Sequence, residues 1–104
     1  MKYDYEWDRL KTWLDQYGVI DDSVTSPEQI TRLDLSAKSL KEIPEAIGIL
    51  SNLLVLNLAN NKLSSLPESM RNLKSLRNLD IRRNSFEILP ELIDGPLDAE
   101  QLFI

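Results

Sequence analysis

From Ile30 onward the apolar residues recur in a phrase of 23 positions, which begins again at Leu53 and Leu76 and opens once more at Ala99. Its first, fourth and sixth positions are apolar in every copy: Ile30, Leu33 and Leu35; Leu53, Leu56 and Leu58; Leu76, Leu79 and Ile81; Ala99, Leu102 and Ile104. Further apolar columns run through Leu40, Leu63 and Phe86, through Ile43, Leu66 and Leu89, and through Ile47, Met70 and Ile93. Pro44, Pro67 and Pro90 fall at one fixed offset. The alternation in the first half of each phrase, with Leu33 and Leu35 on one side and Arg32, Asp34 and Ser36 on the other, is the period of a β-strand. A repeat of this length points to stacked units that bury their apolar faces against one another, with consecutive strands parallel at about 4.8 Å.

Upstream the period changes. Tyr3, Trp7, Leu10, Leu14 and Tyr17 recur at steps of four, three, four and three, the stripe of an amphipathic helix. Trp13 widens that stripe. Gly18 stands where a helix ends on a left-handed residue, which predicts a helix from about Asp4 to Tyr17. A stack of repeats leaves the apolar end of its first unit open to water, and this helix has the shape to cover it. The rival reading is an aromatic stripe that docks a partner. Ser26-Pro27-Glu28 carries an N-cap residue and a proline at the first helical position, so a single helical turn is expected there. In the repeats, Ile43-Pro44, Leu66-Pro67 and Leu89-Pro90 force extended backbone before the proline. The returning side is therefore expected as short helical or 3₁₀ turns containing Glu45 to Leu50 and Glu68 to Leu73. The chain divides into a helical cap and connector over 1–29 and repeats over 30–104.

The phrase resembles the leucine-rich repeat, L-x-x-L-x-L-x-x-N-x-L followed by an L-P turn, and within that family the 23-residue L-P type of intracellular and bacterial proteins. The resemblance implies an α/β fold, a short right-handed solenoid with parallel strands on its concave face. It also implies a protein-binding role without catalysis, and the family is united by shape more than by any one activity. The ninth position is Asn61 or Asn84, whose amide can bond the backbone of its own turn and of the neighbouring one. In the first repeat that position is Lys38, a departure that puts the regularity of the first turn in question.

Composition narrows the chemistry. With 104 residues and no cysteine or histidine, the chain has no disulfide framework, thiolate nucleophile or His-ligated zinc. Walker A, G-x-S-x-G and G-x-G-x-x-G phrases are absent. The acidic first residues lack an apolar signal region, and no run approaches a membrane span, so a cytoplasmic location is expected. The net charge of −5 is uneven: residues 1–29 hold seven acids against three bases, a net of −4. That end repels nucleic acid and anionic membrane, and neither is expected as a partner. No cofactor is implied, and the aligned Glu45, Glu68 and Glu91 read as a solvated ladder.

Function on such a scaffold belongs to the outward strand positions. Across the strands these are Arg32, Val55, Asn78 and Gln101; then Asp34, Asn57, Asp80 and Phe103; then Ser36, Ala59 and Arg82; then Ala37, Asn60 and Arg83. Arg82 and Arg83, with Arg77 nearby, concentrate positive charge toward the last strands. Arginine's forked donors suit carboxylates, which points to an acidic protein or peptide partner. The competing expectation is that these arginines pair with Asp80. An enzyme would have to use Asp34 and Asp80, about 10 Å apart across two strand spacings, on an open sheet with nothing to raise a pKa. Two non-catalytic alternatives remain. One is a self-associating structural or regulatory subunit, a homodimer through the C-terminal edge strand formed by Ala99, Leu102 and Ile104, with Gly95-Pro96 interrupting the third return. The other, resting on resemblance alone, is a small bacterial effector of leucine-rich repeat type.

Overall fold

The computed structural model describes residues 4–87 and the strand at residues 102 and 103. The expectations that fall on Tyr3, Leu89, Pro90, Glu91, Ile93, Gly95-Pro96, Ala99, Gln101 and Ile104 lie outside the described residues.

Helix α1 spans Asp4–Asp15. It stops two residues before the expected end because its last turn tightens. The Tyr17 and Gly18 N–H groups donate to the carbonyls of Leu14 and Asp15, at 3.0 and 3.3 Å, instead of one residue further back. Gly18 then reverses the chain at φ 64, the left-handed conformation that the sequence anticipated. The apolar stripe faces the core: Trp7, Leu10 and Leu14 are buried, while Trp13 and Tyr17 are half-buried and meet edge to face at 5.0 Å. Trp7 satisfies its indole N–H at the carbonyl of Thr25, 3.1 Å away, which ties the helix to the connector. The turn at Ser26-Pro27 forms as a 3₁₀ segment, Pro27–Gln29. The Gln29 side-chain oxygen accepts from the N–H groups of Thr25 and Ser26.

Strands β1 (Arg32–Asp34), β2 (Val55–Asn57), β3 (Asn78–Asp80) and β4 (Leu102–Phe103) form one parallel sheet in that order. The register pairs Leu33 with Leu56, Leu56 with Leu79 and Leu79 with Leu102, so equivalent positions of successive phrases stand side by side. Pairing continues past the strands. The N–H of Leu35 donates to Asn57 O at 2.8 Å and that of Leu58 to Asp80 O at 2.8 Å; Ala37 and Asn60 repeat the pattern with Ala59 and Arg82. After Pro44 and Pro67 the chain returns through 3₁₀ turns at Glu45–Ile49 and Glu68–Asn72.

The columns read from the sequence supply most of the core, although Leu66 and Phe86 are only half-buried. Ile30, Leu33, Leu35, Leu53, Leu56, Leu58, Leu76, Leu79 and Ile81 are all buried, joined by Ile47, Leu50, Met70 and Leu73 from the returns. At about 25 cal/mol per Å² of apolar surface removed from water, each buried leucine contributes roughly 2 kcal/mol. One return demands a small residue. A Cβ on Gly48 would lie 2.6 Å from the carbonyl oxygen of Ser69, so the two 3₁₀ turns approach closely only because position 48 carries no side chain.

Candidate functional site

The outward strand positions stand in rows, as the period-two alternation requires. Arg32, Val55 and Asn78 share one row; Asp34, Asn57, Asp80 and Phe103 share the next, by direct register. Arg32, Asp34, Asn78, Arg82 and Arg83 are exposed, and Val55, Asn57 and Asp80 are half-buried. The side chain of Phe103 lies outside the described residues. Ala59, expected on the outward face, is buried.

The acid and amide row has a local occupation that the sequence did not disclose. One side-chain oxygen of each accepts the N–H two residues on: Asp34 from Ser36 at 3.0 Å, Asn57 from Ala59 at 3.0 Å and Asp80 from Arg82 at 3.1 Å. These are Asx turns, which close each strand as the chain leaves the sheet. The Ser36 hydroxyl adds a second donor to Asp34, at 2.6 Å. For Asp80 the second partner is Arg82, whose Nε and Nη2 donate to the two carboxylate oxygens at 3.0 and 2.8 Å, a forked pair. The signal was present as an Asp or Asn two residues before the end of each outward alternation.

These bonds fix the electrostatics. The Ser36 hydroxyl and N–H hold the Asp34 carboxyl below the usual range, and the Arg82 side-chain bond does the same for Asp80, against a smaller opposing effect of burial. A general acid working near neutrality needs its pKa raised, so the environment of both carboxylates runs opposite to what that role requires.

Arg82 and Arg83 differ despite their adjacency. Arg82 lies in the fork with Asp80. Arg83 makes no hydrogen bond or ion pair among the described residues through its side chain, and its backbone is left-handed at φ 59. Ala37 (φ 55) and Asn60 (φ 60) hold the same conformation at the equivalent positions. Asparagine suits that region; arginine does not, at a cost on the order of 1 kcal/mol. Together Ala59, Asn60, Arg82 and Arg83 line a shallow depression of about 490 Å³ at the strand ends.

Beside this face runs an asparagine ladder. Asn61 is buried, and its Oδ1 accepts from the N–H groups of Lys38 and Leu40 at 2.9 and 3.0 Å. Its Nδ2 donates to the carbonyls of Leu35 and Leu58 at 2.9 Å each. Asn84 repeats this one unit later, accepting from Leu63 N–H and donating to the Leu58 and Ile81 carbonyls. Each asparagine therefore serves the repeat before it. Lys38 has no preceding repeat to serve, which explains the departure at the first copy. The first turn is also the irregular one, since Ser39 takes a second left-handed conformation (φ 56) that the later turns lack.

No helix among the described residues is long and apolar enough to cross a membrane, and no described cluster of acidic residues could hold a metal ion. Neither curated proteins nor solved structures yield a match. The family model described as Leucine rich repeat matches residues 28–86, more than half of the chain. That span holds the buried columns, the parallel register and the asparagine ladder, and members of the family are in general protein-interaction modules. By this match and this repeat geometry, the chain belongs to the leucine-rich repeat family.

Proposed function

We propose that the protein is a cytoplasmic binding module, a short right-handed solenoid of the 23-residue L-P type. In this reading it holds an acidic protein or peptide against its concave strand face. The observation that carries the reading is Arg83: an exposed cation with no side-chain partner among the described residues, kept in a backbone conformation that glycine or asparagine would occupy more cheaply. With Arg82 beside it and Asn60 across the depression, it offers forked donors to a carboxylate. Arg32, Val55 and Asn78 form the remainder of the contact row, while Asp34, Asn57 and Asp80 close the turns that present it. Phe103 on β4 continues the row of Asp34, Asn57 and Asp80 by register. Helix α1 acts as the cap of the first repeat through Trp7, Leu10 and Leu14.

The test is the double charge reversal Arg82→Glu with Arg83→Glu. Both side chains are exposed, so the fold should be retained with a modest fall in melting temperature from the lost Arg82–Asp80 pair, while affinity for an acidic partner falls by about tenfold or more. Unchanged binding refutes the site. Trp7→Ala tests the cap: a loss of about 3–5 kcal/mol is expected for a buried indole with a bonded N–H, and full stability with lost binding would reassign the helix to docking.

A second reading rests on the sheet order, in which β4 is an outer strand among the described residues. A strand edge presents unpaired N–H and C=O groups, and a second copy could pair there about a two-fold axis. Light scattering at tens of micromolar on the intact chain and on a version ending at Asp98 discriminates. An intact chain that stays monomeric refutes the homodimer.

A further inference from the structure

Away from the strand face, α1 and the first return turn enclose a groove of about 480 Å³. Tyr5, Glu6, Arg9 and Trp13 form its helical wall, and Glu45 and Ala46 lie opposite. Tyr5 stands out: at 71% exposure it is the large hydrophobic side chain left in water among the described residues. It is off the apolar stripe and contributes nothing to the core. It is nevertheless held in place, because the Arg9 guanidinium lies 5.4 Å from its ring centroid and donates to its hydroxyl at 3.1 Å. A second depression, lined by Tyr5, Asp8, Arg9 and Thr12, makes the ring a ridge between two hollows.

Around the ridge three carboxylates, Glu6, Asp8 and Glu45, outnumber one cation, Arg9, which keeps its charge because its partner Tyr5 is neutral. Arg9 is engaged by Tyr5, whereas Glu6, Asp8 and Glu45 are exposed and have no ion-pair or side-chain hydrogen-bond partner among the described residues. Free carboxylates on both walls of an apolar groove, in a segment whose net charge is −4, attract a cation and repel an anion. A rigid tyrosine ridge beside a half-buried indole supplies apolar contact at low entropic cost. The ring adds at most an i,i+4 contact to the helix and nothing to the core cluster, so most of its surface is available to a partner, and the carboxylates specify the sign of what it meets.

We propose that this groove docks a basic, apolar peptide segment of a partner protein, in which lysine or arginine residues alternate with aliphatic ones. The aliphatic side chains lie against Tyr5 and Trp13, and the cations reach Glu6 and Glu45. The surface and the sign of the partner both differ from those of the Arg82–Arg83 face, so the two readings stand or fall separately.

Selection of random linear peptides displayed on phage against the intact protein provides the probe. A synthetic peptide of the recovered consensus is then titrated by fluorescence anisotropy. The expected consensus combines Lys or Arg with aliphatic residues. Its affinity should fall about tenfold or more in Tyr5→Ala, and likewise in Glu6→Lys with Glu45→Lys, while Arg82→Glu with Arg83→Glu leaves it unchanged. Circular dichroism verifies that each variant is folded, and the charge-reversed pair serves if Tyr5→Ala is not. The proposal is overturned by an acidic consensus, by no consensus, by a basic consensus that binds both variants as well as the parent, or by self-association that Tyr5→Ala abolishes.

Discussion

Asn61→Ala should be the most damaging single substitution of a polar side chain in this protein, and the hydrogen bonds say by how much. Five bonds to Asn61 vanish, but they do not count equally. The Leu58 carbonyl keeps the Nδ2 of Asn84 at 2.9 Å, and the Ala59 carbonyl keeps the N–H of Ala37 at 3.0 Å. Lys38 is half-buried, so its N–H can turn to water. That leaves the N–H of Leu40 and the carbonyl of Leu35, residues 4% and 0% exposed, with no other partner among the described bonds. An unsatisfied buried main-chain group costs about 1–3 kcal/mol, which gives a loss of roughly 2–6 kcal/mol. Against a total stability of about 5–15 kcal/mol this is a large fraction. Urea unfolding followed by tryptophan fluorescence should show the midpoint falling with the slope unchanged. Asn84→Ala should cost about half as much, because Asn84 is half-buried and water can reach the groups it leaves. Asn60→Gly, at an exposed left-handed position, should be near neutral. A loss below about 1 kcal/mol for Asn61→Ala, or equal losses at 61 and 84, would refute the account of the ladder.

Gly48→Ala normally gains about 0.4–1 kcal/mol by restricting the unfolded chain. Here the added methyl would meet the Ser69 carbonyl oxygen at 2.6 Å, a main-chain atom that cannot step aside, so a net loss of about 1–2 kcal/mol is expected by thermal melting. Arg83→Gly removes a side chain from a left-handed position and should raise stability by about 0.5–1 kcal/mol in urea while weakening an acidic partner; a loss of stability would contradict the strain argument. Asp34 and Asp80 have folded-state pKa values below the ordinary 3.8, so their contribution to stability is present above that value and disappears as the pH falls through the folded values. Stability should therefore be flat from about pH 7 to 5 and decline below about pH 4, and Asp80→Asn should flatten the acid limb measured by urea midpoints.

The repeat, its strands and its core were legible in the sequence because each depends on periodicity. Leu33, Leu56 and Leu79 fall at equal intervals, and in-register stacking is the arrangement that buries all three columns together. The proline offsets likewise dictated where the returns begin, and the N-terminal stripe dictated which helix face is buried. The allegiance of individual polar groups depended on distances that no spacing encodes. The row of Asp34, Asn57 and Asp80 read as a surface, yet its oxygens close Asx turns, because a side chain that projects outward can still fold back on the amide two residues along. Arg82 and Arg83 were indistinguishable as neighbours until backbone geometry turned one toward Asp80 and left the other without a side-chain partner among the described residues. Gly48 carried no mark of its role, and Tyr5 fell inside the expected helix but off its apolar stripe; both matter through the packing of one segment against another. Periodic burial is written along the chain, whereas close approach and hydrogen-bond choice arise only when segments distant in sequence meet.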